Sequence, residues 1–148
     1  MKGKKGITYS QDISGLLCIF IIIIFIIFFM LTSFVENFKK EDPMLQTIRN
    51  KIRPLHPEMV DHVILLEDTK SYTINKKKVY LCLKDENGDY YDENMLIFVA
   101  IHELAHVVCD EIGHTDKFQT IFQELLNKAS DLQIYDPNVA PIQNYCEY

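Results

Sequence analysis

Between Asp92 and Gly113 the chain carries a helix that is apolar around most of its circumference. The stretch 95–101, MLIFVAI, is apolar at every position. A helix built from it has no polar face to offer, so other elements must pack around it. Asp92 suits the N-cap and Glu93 the first turn. Gly113 supplies a left-handed stop. The expected helix therefore runs from about Asp92 to Glu111 at the centre of the fold. In its second half, apolar residues alternate with His102, Glu103 and His106.

Those three residues carry the chemistry. At 100° per residue, His102 and His106 stand about 40° apart, one turn from each other on one face. Both imidazoles can reach a single ion at a Zn–N distance near 2.0 Å. Glu103 lies about 60° beyond His106, beside such an ion rather than on it. There it can act as a base toward an activated water. A single buried histidine is ordinarily bonded to a backbone carbonyl. Two histidines and a glutamate together, unpaired on a buried helix, are costly, and a shared metal relieves that cost. A catalytic zinc takes three protein ligands. His114, just past Gly113, is the candidate third ligand. Glu124 on the next helix is its rival, and Asp110, one turn beyond His106, could approach the ion. Cys109, Asp110 and Glu111 otherwise continue and end the helix.

The N-terminal part differs. Residues 13–35 contain no charge. As a helix they would rise about 35 Å, enough to cross a bilayer core. The expectation is an uncleaved transmembrane helix over 13–35, with residues 1–12 as a cytoplasmic or exposed segment and 36–148 as one domain. A cleavable signal peptide is the alternative, but the apolar run is long for one and the exit carries Phe34 and Phe38 rather than small residues. Lys2, Lys4 and Lys5 form a tighter cluster than Lys39, Lys40 and Arg49. They favour a single-pass membrane protein with its domain on the non-cytoplasmic side.

Residues 36–148 hold 12 Lys and Arg against 20 Asp and Glu, a net charge of −8. No nucleic-acid partner is expected of such a domain. The basic strip NKKKV, 75–79, reads as a solvated turn. Asp42-Pro43 opens a helix that Pro54 ends. Residues 62–68 read as a strand, and 71–85 as a hairpin or two close strands, with Tyr72 and Ile74 alternating before the lysines and Val79, Leu81 and Leu83 sharing one face after them. Asn87-Gly88 marks a turn. Thr115 caps a second helix to about Ala129, with Phe118, Ile121, Phe122, Leu125 and Leu126 as its apolar stripe. An irregular tail follows. Cys18 lies in the apolar run. Cys82, Cys109 and Cys146 allow one disulfide and a free thiol.

The segment HELAH…GHTDKFQTIFQELL resembles the zinc-dependent peptidase-like families of the SprT, WLM and YgjP type. Their H-E-x-x-H helix is followed by a third histidine and, four residues later, an aromatic, as His114 and Phe118 stand here. The arrangement is also similar to uncharacterised metallopeptidase-like proteins of large DNA viruses. The resemblance covers about residues 60–130 and is specific over 102–122. It implies an α+β, zincin-like domain: a short antiparallel or mixed sheet, an active-site helix and a packed second helix. It implies zinc on His102, His106 and His114 with Glu103 as general base. The spacing departs from the pattern: His106 and His114 are eight apart rather than six, and Cys109 stands where the metzincin motif has glycine. The expected function is peptide-bond hydrolysis on a peptide or protein substrate. Tyr145, Tyr135 and His62 are candidates to steady the oxyanion. A catalytically inactive zinc-binding module that holds a partner is the second reading, and a structural membrane protein without metal the third. The strand within 75–83 could pair with an extended substrate at a sheet edge.

Overall fold

The computed structural model of the protein describes residues 9–37 and 41–147. The chain divides into two compact units, Met1–Lys40 and Glu41–Tyr148.

In the first unit, α1 spans Tyr9–Asn37. Among the described residues, no helix is long and apolar enough to cross a membrane. The transmembrane helix over 13–35 and the single-pass membrane localisation are therefore not supported. The side assigned to the C-terminal domain falls with them. Lys2, Lys4, Lys5, Lys39 and Lys40, on which that orientation rested, lie outside the described residues.

The second unit is α+β. Its elements are α2 (Pro43–Ile52), α3 (Pro57–His62), β1 (Ile64–Glu67), β2 (Tyr72–Ile74), β3 (Lys78–Leu81), α4 (Glu93–Val108) and α5 (Asp116–Asp131). The caps form where the sequence places them. Asp42, Asp92 and Thr115 accept from the backbone N–H of Met44, Asn94 and Phe118. The three strands order as β1-β3-β2, with β1 parallel and β2 antiparallel to β3. β3 is therefore central. The edge-strand role considered for 75–83 is not available to it, because both of its sides are paired. The edge strand beside α4 is β2.

The hairpin turn between β2 and β3 carries Asn75 and Lys76 at φ 50° and 55°. Two successive positive φ values give the twist that joins antiparallel strands tightly. Lysine is strained there, but its ammonium donates to the carbonyl of Cys109 at the end of α4. The hairpin tip is thereby tied to the end of the central helix. Val79 and Leu81 face the core, as the alternation predicts. Tyr72 and Ile74 do not: they lie on the outer face, Tyr72 stacked on Tyr80 with ring centroids 4.6 Å apart. Thr73 points inward instead.

α4 is the centre of this unit. It packs against α2, α3, α5 and the sheet. Leu96, Ile97, Ala100, Ile101, Leu104 and Ala105 are at most 2% exposed, which accounts for the apolar circumference. The helix ends at Val108 rather than near Glu111, because Cys109 is already extended. Gly113, at φ 86°, then turns the chain back.

Cys82 and Cys146 form a disulfide, and Cys109 is a buried free thiol. The bridge joins the end of β3 to the tail across a sequence separation of 64. In a chain-entropy account, a loop of that length stabilises by about 4 kcal/mol. Replacing both Cys82 and Cys146 with serine should lower the unfolding free energy by an amount of that order, read as a lower urea midpoint. An unchanged midpoint would show that the bridge constrains nothing the tail's other contacts do not already hold.

Candidate metal centre

The loop 109–115 explains how a histidine eight residues beyond His106 returns to the same point. Early termination of α4 frees the chain to extend. Gly113 reverses it, and Thr115 starts α5. Asp110 and Lys117, 2.7 Å apart, clasp the two ends of the loop at the surface. His114 then sits over the face of α4 that carries His102 and His106.

The three imidazoles converge. Nε2 of His114 lies 3.0 Å from Nε2 of His102 and 3.1 Å from Nε2 of His106. The ring centroids form a near-equilateral triangle with sides of 5.0, 4.9 and 4.9 Å. Hydrogen bonding alone does not account for this. An imidazole nitrogen carries one proton or one in-plane lone pair, so Nε2 of His114 cannot serve both neighbours well. Three nitrogens around one tetrahedral ion at 2.0–2.1 Å would stand roughly 3.3 Å apart. The observed spacing and the all-imidazole donor set fit a borderline-soft divalent cation such as zinc.

The protonation states suit ligands. Burial, together with the neighbouring His106 and His114, pushes the His102 imidazole down to about 4. Burial and His114 lower that of His106. A metal-binding imidazole must be neutral. Phe118 lies beneath all three rings, stacked on His106 at 4.3 Å and within 5.0 Å of the His102 and His114 centroids.

Glu103 is 5% exposed, the one buried charged residue among those described. Burial raises its carboxyl above the ordinary range, opposed by a hydrogen bond from Thr73. Thr73 Oγ1 donates to Glu103 Oε2 at 2.7 Å. A cleft of about 420 Å³ opens on this side, lined by His102, Glu103, Ser71, Val99 and Tyr145 among others. Its size is that of a small-ligand or peptide-side-chain site.

Among the described residues, the cluster able to hold a metal is His102, His106 and His114. Glu124 is exposed on α5 and is not part of it. Asp110 is a surface residue whose carboxyl is held down by its hydrogen bond from Lys117. Of the three oxyanion candidates, Tyr145 lines the cleft, its hydroxyl directed to the Cys82 carbonyl and within 3.3 Å of Ser71 Oγ. Tyr135 is buried against Phe98. His62 bonds the Glu58 carbonyl at an exposed helix end. Sequence reasoning missed Thr73 and Ser71. For Thr73 a sign was there: in SYTIN the outer residues are apolar and the inner one polar, the reverse of an ordinary half-buried strand.

The chain is 49% identical over 111 residues to uncharacterized protein 136R of Invertebrate iridescent virus 6, covering 73% of this chain and 59% of that protein. It is 46% identical over 100 residues to uncharacterized protein 042R of Invertebrate iridescent virus 3, covering 64% and 63%. It is 33% identical over 108 residues to uncharacterized protein R325 of Acanthamoeba polyphaga mimivirus, covering 68% and 51%. The chain thus spans between about half and just under two thirds of these relatives. No protein-family model and no solved structure matches it.

Proposed function

We propose that the unit Glu41–Tyr148 is a zincin-like, zinc-dependent peptidase in which Glu103 is the general base. The observation that carries this reading is the convergence of three imidazole nitrogens beside a buried glutamate that borders a cleft. His102, His106 and His114 would hold the ion. When bound, zinc supplies Lewis acidity, which makes water a better proton donor and polarises a carbonyl. The chain's own residues do the rest. The cleft admits a stretch of peptide and limits water around it. A carboxylate oxygen of Glu103 takes the proton of the attacking water and returns it to the departing amine. Burial suits the first half of that exchange, because a carboxylate whose protonation is favoured is a stronger base toward the attacking water than an ordinary one. The intact Glu103 and the cleft beside it favour hydrolysis over a purely zinc-binding module.

Glu103→Gln is the decisive variant. It should retain close to one equivalent of zinc and lose hydrolysis on the order of 10²- to 10⁴-fold. If the variant cleaves peptides as fast as the parent, Glu103 is not the base. If the zinc-loaded parent cleaves nothing across a broad peptide library, the binding-module reading takes its place.

A further inference from the structure

We propose that Thr73 is the positioning residue that divides the Glu103 carboxylate into one held oxygen and one working oxygen. This inference rests on the reading of Glu103 as a base beside a metal. Thr73 Oγ1 lies 2.7 Å from Glu103 Oε2 and 3.3 Å from the Glu103 carbonyl oxygen. A hydroxyl has one proton, and the shorter, charge-assisted contact takes it. Oε2 is thereby fixed. Oε1 has no protein donor, and no buried side-chain oxygen among the described residues lacks a partner, so Oε1 keeps its access to solvent. Glu103 borders the cleft, and Oε1 is the atom left to exchange protons there.

The backbone fixes Thr73 in turn. It sits in the middle of edge strand β2, paired with Val79 of β3. Val79 is 3% exposed and anchored in the core. A β-branched side chain on a paired strand has little freedom at χ1. The terminal torsion of a glutamate is otherwise broad and two-fold, so without this bond the two oxygens would exchange places. The edge strand therefore supplies the aim of the base, a role separate from pairing with β3.

The test uses the full chain loaded with Co²⁺ as the probe metal, read by its visible absorption, and with Zn²⁺ for kinetics. Thr73→Val removes the hydroxyl at nearly constant shape, and Thr73→Ser keeps it. Each is made with Glu103 and with Glu103→Gln. In the presence of Glu103, Thr73→Val should change the cobalt spectrum and lower kcat about 10- to 100-fold, with KM within about twofold. Thr73→Ser should restore both. With Glu103→Gln, Thr73→Val should leave the cobalt spectrum unchanged. A cobalt spectrum and kcat that ignore Thr73→Val overturn the inference alone. A spectral change of equal size with Glu103→Gln also overturns it, because Thr73 would then act on the helix. A spectrum that responds to Thr73 only when Glu103 is present, in a chain that cleaves nothing, upholds the pairing and sinks the peptidase reading. A chain that takes up no cobalt overturns both.

Discussion

Chelating zinc from the loaded protein should lower the thermal midpoint of the unit Glu41–Tyr148 by roughly 16–32 °C. A ligand that binds only the folded chain, at a thousandfold excess over its Kd, stabilises by about 4 kcal/mol. A domain near 100 residues moves about 4–8 °C for each kcal/mol. The unfolded chain cannot mimic the site, because His114 reaches the other two histidines only through the extended Cys109, the Gly113 reversal and the start of α5. His114→Ala should therefore bind less than about a tenth of an equivalent of zinc, and its midpoint should no longer respond to chelator. Glu124→Gln should behave as the parent does, since Glu124 is exposed on α5 away from the cluster. Calorimetry with and without chelator, alongside metal analysis, decides the matter. If His114→Ala binds zinc as the parent does while Glu124→Gln does not, the third ligand has been misassigned.

The helical parts of the domain were legible because their determinants are local. Asp42, Asp92 and Thr115 cap their helices through bonds spanning two or three residues. The turn at Gly88 is equally local. The apolar circumference of α4 announced a central helix, since such a surface has no other stable place. Sheet order was not legible. Nothing within 75–83 says that β1 will pair with β3 in parallel and make it the central strand, because that register depends on contacts across the fold. The inward turn of Thr73 escaped for a related reason: its partner, Glu103, is 30 residues away. The end of α4 was misjudged by three residues because the acids after Val108 are compatible with a helix. The Lys76 bond to the Cys109 carbonyl, a long-range contact, helps to end it sooner. For the candidate metal site, the helical pair His102 and His106 followed from spacing alone. The return of His114 required a loop whose path only the folded chain fixes.

Phe118→Ala should be among the most damaging single substitutions away from the three clustered histidines, and it should damage two properties at once. The ring is fully buried. It stands 4.3 Å from His106, 4.8 Å from His114 and 5.0 Å from His102, measured between centroids, with Phe122 at 5.9 Å. Truncating such a ring in a close-packed interior costs about 3–5 kcal/mol, from lost burial and from the cavity left behind. The cavity would lie directly under all three imidazoles. They would gain rotameric freedom that metal binding must then remove, so zinc affinity should fall together with stability. Phe118→Leu separates the two effects. It keeps most of the apolar volume and should cost less than about 1.5 kcal/mol. It also removes the flat surface on which the imidazole of His106 stacks. A fall in zinc affinity with Phe118→Leu, at nearly parental stability in urea, would show that the ring orients the ligands as well as filling space. Parental affinity in Phe118→Leu would reduce Phe118 to a core residue. A cost below about 1 kcal/mol for Phe118→Ala, by the same urea measurement, would mean that α5 does not pack against the histidines in solution as it does here.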